Sequence, residues 1–257
     1  YKVIVYDEFY FPWILKNKKK LKNYKNLKFV KKNISKANIQ DFKDVDIVCD
    51  LNGISNDPSS ELNSKYTWNI NFKQRFNFAK KAKKAGVERY IFNSTCSVYG
   101  FNKKKVFENS PTNPLSTYAK ANLAAEKAIY KLRNNKFKVN LLRNATLFGF
   151  SNTLRLDLVI NIFVLKLLQN KKIFIDGDGK QFRPFISLND ICKIYKILIE
   201  TKKLPSFICN LVSFNSTIRN IALNVCKILK KEKNMILFNE KFFDKRNYIV
   251  GSKKFKK

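Results

Sequence analysis

The sequence predicts an α/β fold: a doubly wound parallel sheet with a small C-terminal lobe interwoven with it. Strand-sized apolar runs alternate with amphipathic helical stretches along nearly the whole chain. At 257 residues the chain can bury one sizeable core, or one core with a lobe attached. No repeat or low-complexity linker separates the pieces, so the lobe must share the chain with the sheet.

The elements follow in order. "YKVIVYD" (1–7) is a strand ending in an acid, and "LKFVKKN" (27–33) and "DIVCDLN" (46–52) are further strands. "YTWNINFKQRFNFAKKAKKAG" (66–86) reads as a helix closed by Gly86, followed by the buried strand "VERYIFNS" (87–94). "STYAKANLAAEKAIYKLRNN" (116–135) is a second helix opened by a Ser-Thr cap, and "FKVNLLRNA" (137–145) a strand. These five strands are expected parallel in one sheet, with Asp7, Gly53, Thr95 and Tyr118 along its carboxyl edge. A helix over 157–169, the strand "KKIFI" and the turn "DGDGK" come next. A helix follows "LNDI" at 189, then the strand "FICNLV" and a helix over 217–230. Residues 1–148, with about 187–212, are assigned to the sheet domain, and 149–186 with 213–257 to the lobe.

Charge is the loudest compositional feature, with 52 Lys+Arg against 19 Asp+Glu and a formal +33. Basic residues are spread along the chain, and Lys, Asn, Ile and Phe are abundant together, as in a codon-biased proteome. A nucleic-acid partner is therefore not expected, although a phosphate-bearing small ligand gains from the field. With no histidine among these residues, neither histidine-based catalysis nor a zinc or other metal site is expected. Cys49, Cys96, Cys192, Cys209 and Cys226 are scattered without metal spacing, which suits reduced thiols in a cytoplasmic protein. The longest apolar run, "LVINIFVLKLL", is too short to cross a bilayer and is broken by Lys166, so no membrane role is expected.

A dinucleotide-binding sheet opens with a strand and a Gly-rich turn that seats the pyrophosphate on a helix N-terminus. The seven glycines form no such turn, and the chain opens where the second strand would lie. The expectation is a chain lacking its first βα unit. Asp7 then stands where an acid accepts hydrogen bonds from ribose hydroxyls. "IFNSTCSVYG" (91–100) sends a buried strand into Ser94, Thr95 and Ser97, and Tyr118 opens the helix after the next loop, so Thr95 and Tyr118 can converge.

The ordered motifs "VYD", "DLNGISNDPS", "NSTCSVYG", "STYAKAN" and "RNATLFG" resemble the extended short-chain dehydrogenase/reductase family of NAD-dependent sugar-nucleotide epimerases and dehydratases. "LRLDLVIN", "GDGKQFRPFISLNDI" and "DKRNYIV" extend the likeness over nearly the whole chain. The resemblance implies a Rossmann-like sheet, NAD as cofactor, a nucleotide-sugar substrate and a possible homodimer. It places Asp7 on the adenosine ribose, Asn33 and Ile34 beside the adenine, and Leu51, Asn52, Gly53 and Asn71 along the cofactor. Thr95 is implied to hold the reacting sugar hydroxyl, and Tyr118 to be the acid/base. Asn161, Arg183 and Arg246 are implied to grip the nucleotide diphosphate. Family dehydratases carry an Asp-Glu pair just after the Thr; here Cys96 and Ser97 stand there, which favours epimerisation over dehydration, with simple reduction as the alternative.

One position departs from the family pattern. The family's lysine four residues after the tyrosine binds the nicotinamide ribose and lowers the tyrosine pKa; Asn122 replaces it. Residues i and i+4 share a helix face, whereas Lys120 at i+2 points away. A non-catalytic dinucleotide-binding protein is the alternative from another class, and a lysine at 122 is the change expected to restore a missing charge.

Overall fold

Strand β4 (Arg89–Thr95) is buried along almost its whole length, because helices cover both faces of the sheet it centres. In the computed structural model, which describes residues 1–10, 21, 24–239 and 246–254, it pairs in parallel with β3 (Ile47–Asp50) and β5 (Lys138–Asn144). Strand β9 (Phe207–Leu211) adds to the far side of β5. Successive side chains of β4 face opposite layers. Tyr90 and Phe92 join the cluster that holds Ala79, Ala82 and Ile129, while Ile91 joins Ile191, Ile194 and Leu198.

The first cluster is closed by two long helices. One runs as α1 (Asp57–Leu62), α2 (Ser64–Trp68), a π-helical turn over Asn69–Gln74 and α3 (Arg75–Lys84). The single helix expected over 66–86 is thus two α segments around a π turn, and Gly86 follows it at φ +90°. The other is α4 (Thr117–Lys131), whose cap is Ser116: its hydroxyl accepts from the Ala119 amide at 3.1 Å.

The expectation of one five-stranded sheet needs correction. β1 (Val3–Asp7) and β2 (Leu27–Lys31) pair in parallel with each other, but among the described residues no ladder joins them to β3. They rest on the same helical layer: Tyr6 of β1 meets the Phe78 ring of α3 at 5.9 Å between centroids. Alternating hydrophobicity marks a strand but not which edge it meets, so pairing was beyond the pattern.

The C-terminal part builds its own apolar cluster. Helices α5 (Val159–Leu168) and α7 (Ile218–Ile228) contribute Phe163, Leu167, Ile221 and Val225 to it. Strands β7 (Ile173–Asp176) and β8 (Phe182–Ser187) supply Ile173, Ile175 and Phe185. β6 (Thr146–Phe148) pairs with β8 in parallel, β10 (Phe214–Thr217) pairs with it antiparallel, and β11 (Ile236–Asn239) runs parallel to β7. Between β8 and β9, α6 (Leu188–Glu200) returns the chain to the main sheet. Ser187 caps it through the Asp190 amide. Among the described residues no helix is long and apolar enough to cross a membrane.

Candidate active site

A cleft of about 630 Å³ opens where the carboxyl ends of β4 and β5 meet the C-terminal elements. Thr95 ends β4 and is buried; Tyr118 sits in the first turn of α4 and is half-buried. Two backbone constraints bring them together. The Thr95 hydroxyl caps the short turn Cys96–Tyr99 by accepting from the Ser97 amide at 3.1 Å. The Tyr118 amide donates to the Ser60 hydroxyl of α1 at 3.0 Å, which fixes the start of α4.

Several groups act on the Tyr118 phenol. Burial pushes its pKa up from the usual value, and a hydrogen bond with Thr95 works in the opposite direction. The Asp57 carboxylate also raises it, while the Arg75 and Arg155 guanidinium groups lower it.

The structure brings Thr95, Tyr118, Asn161, Arg183 and Arg246 to this one cleft. Arg183 is buried on β8, with Nη1 donating to the carbonyls of Phe182 (2.7 Å) and Arg246 (2.6 Å) and its guanidinium over the Tyr248 ring. Arg246 puts Nη1 2.5 Å from Asp57. The Asn161 amide is engaged within the protein, accepting from Gly149 N at 3.1 Å and donating to the Arg155 carbonyl at 2.9 Å. It braces the loop that carries Arg155.

The residues implied for a dinucleotide divide into two kinds. Asp7, Leu51, Asn52 and Gly53 are exposed at the carboxyl ends of β1 and β3, and Gly53 holds φ +138°. Asp7 keeps one carboxylate oxygen on the Phe9 amide, and Asn33 bridges Glu8 and the Ser35 amide. An exposed acid and a loop open to close backbone approach fit a dinucleotide's ribose and phosphates. Ile34, Asn71 and Asn122 instead have buried side chains. Asn71 clasps the backbone of Ile54 with both ends of its amide, at 2.8 and 2.9 Å, and so shapes the loop after β3. Asn122 accepts from Arg75 Nη1 at 3.0 Å and donates to the Tyr118 carbonyl at 2.8 Å.

Sequence reasoning missed Arg75, Asp50, Asp57 and Arg155. Arg75 is fully buried on an ion pair with Asp50, Nε to Oδ2 at 2.9 Å. A signal existed: Asn71, Arg75, Ala79 and Ala82 recur at roughly helical spacing on one buried stripe, where an arginine requires a partner. Asp50, the one acid in the apolar run of β3, is that partner.

The model of the NAD dependent epimerase/dehydratase family matches residues 6–210. The chain belongs to this family. An uncharacterized UDP-glucose epimerase of Bacillus subtilis, YtcB, is 31% identical over 184 residues, covering 70% of this chain and 57% of the relative. The dTDP-D-glucose 4,6-dehydratase of Mus musculus is 26% identical over 238 residues, covering 90% and 66%. The chain thus spans between about half and two thirds of the length of such family members. Among solved structures, UDP-glucuronic acid 4-epimerase from Bacillus cereus in complex with NAD superposes with a TM-score of 0.84 at 23% identity, over 99% of this chain and 82% of that one. MoeE5 in complex with UDP-glucose and NAD gives 0.82 at 18%, over 98% and 90%. These likenesses establish the Rossmann-type α/β fold; the family itself is NAD-dependent.

Proposed function

We propose that this chain is the catalytic part of an NAD-dependent epimerase of a nucleotide sugar, working through a transient ketone. The juxtaposition of Thr95 and Tyr118 in a cleft rimmed by Arg183 and Arg246 carries this reading. Asp7 and the Leu51–Gly53 loop would hold NAD, which when bound accepts and returns a hydride. Residues 1–148 with about 187–212 form the cofactor side of this scheme, and 149–186 with 213–257 the substrate side. Tyr118 takes the proton of the sugar hydroxyl and later returns it, while Thr95 holds that oxygen in line. The two guanidinium groups suit a diphosphate, since each can give paired charge-assisted hydrogen bonds.

The residues after Thr95 favour epimerisation over loss of water. Dehydration needs an acid and a base beside Thr95 for the neighbouring carbons. Cys96 is buried, its thiol pKa is driven well up by burial, and its Sγ lies 3.1 Å from the Arg143 carbonyl. It cannot serve as that group.

The test is proton NMR of UDP-glucose, UDP-glucuronic acid and dTDP-glucose incubated with protein and NAD. Interconversion of a sugar with its epimer is expected, and Tyr118→Phe should slow it about a hundred- to ten-thousandfold. Binding of NAD with no interconversion, or a product that has lost water, would overturn the reading.

A further inference from the structure

We propose that Arg75, held against α4 by Asn122, is a positioning residue for Tyr118 that supplies from α3 the positive charge favouring the phenolate. This rests on Tyr118 being the acid/base group.

An unassisted tyrosine titrates near ~10 and is almost wholly protonated at neutral pH. The α4 face that carries Tyr118 offers Asn122, which has no charge. The cation instead enters from the neighbouring helix. Arg75 is 2% exposed, and each part of its guanidinium is committed. Nε meets the Asp50 carboxylate, and Nη2 meets the carbonyls of Asp50 (3.3 Å) and Asn93 (2.9 Å). Nη1, on the side away from the Nε–H, donates to the Asn122 amide oxygen at 3.0 Å. Asn122 in turn donates to the Tyr118 backbone carbonyl at 2.8 Å, which holds the guanidinium against the first turn of α4, and from there its charge acts on the phenol through space and lowers its pKa. The ring of Phe92 closes the other side of the guanidinium at 3.9 Å, keeping the charge in a dry, weakly screened position.

This arrangement explains the residue at 122. A guanidinium in this position requires an acceptor, and an asparagine oxygen provides one. A lysine there would set an ammonium against Arg75. Asn122 and Arg75 are therefore one device, with the charge moved from α4 to α3.

The other charged groups that face Tyr118 are already committed. Asp57, on α1, opposes the phenolate and is held by Arg246 and the Ser116 hydroxyl. Arg155, on the loop before α5, favours it but is clasped by Asp157. Behind Arg75, Asp50 balances the guanidinium from the Nε side.

Fluorine NMR of fluorotyrosine-labelled protein, with the Tyr118 resonance assigned by its loss in Tyr118→Phe, reads the titration directly and needs no cofactor or substrate. Asp50→Asn leaves Arg75 charged and removes its counter-ion, so the Tyr118 midpoint should fall by about one pH unit. Asp50→Asn with Arg75→Gln removes both charges, and the midpoint should rise above the parent's. Opposite shifts are the signature, because a merely structural arginine would not move the midpoint both ways. An unmoved midpoint in Asp50→Asn, or shifts of the same sign, would overturn the proposal. If the double variant shows no cooperative melt, Asp50→Asn alone decides. Opposite shifts in a chain that interconverts no sugar would sink the epimerase reading and leave this one standing.

Discussion

Arg246 and Asp57, 189 residues apart in the chain, meet at 2.5 Å on the rim of the cleft. Asp57 lies in the first turn of α1, capped by Asn56, and is also held by the Ser116 hydroxyl that caps α4. One carboxylate thus ties the C-terminal segment to the start of the helix that carries Tyr118.

Arg246→Ala should weaken binding of a nucleoside diphosphate by about tenfold or more, the worth of one charge-assisted contact of roughly 1.5–3 kcal/mol. Titration calorimetry with UDP checks this. Unchanged affinity would remove Arg246 from the phosphate grip.

Asn122→Lys should not repair a deficient site. The structure sets the new ammonium beside the Arg75 guanidinium and deletes the acceptor of Nη1. A buried unpaired donor and a like charge together should cost about 2–4 kcal/mol. Urea unfolding of parent and variant measures the loss, and a variant as stable as its parent would refute this account of residue 122.

Gly100→Ala should be severely destabilising. Gly100 ends the turn after Thr95 at φ +57°, and a Cβ there would lie 1.8 Å from the Asn113 carbonyl oxygen. Backbone on both sides must shift, at a cost of about 3 kcal/mol or more. A melting temperature within a degree or so of the parent would show that the loop over 100–113 yields easily.

Acid should loosen the Arg155 loop. Arg155 clasps Asp157 in bidentate fashion, and that hydrogen bonding is the main cause of an Asp157 pKa lowered to about 2. Because the folded value lies below the unfolded one of about 4, the stabilisation is complete above about pH 4 and is lost as pH falls toward about 2. The pair is about 40% exposed, so solvent screening keeps the effect small, under about 1 kcal/mol. Asp157→Asn should flatten the acid limb of stability against pH by that amount; an identical limb in both proteins would mean that Asp157 is not the group titrating.

The sequence by itself determined the α/β class, most of the elements, and the places of Thr95 and Tyr118 at the ends of two of them. Caps, periodicity and local turn chemistry place Thr95 at the end of β4 and Tyr118 at the start of α4 within a few residues of where the structure has them. It left the strand pairing open, because the alternation that makes Val3–Asp7 a strand is silent about which edge it meets. Only the tertiary structure decided what Asn122 means. Read along α4, it is a lysine position without its charge. Read across the helix interface, its oxygen faces a guanidinium from 47 residues away that is anchored by an acid on β3. A charge acts through space and not along the chain, so the group that answers for residue 122 became visible only once α3, β3 and α4 were packed together.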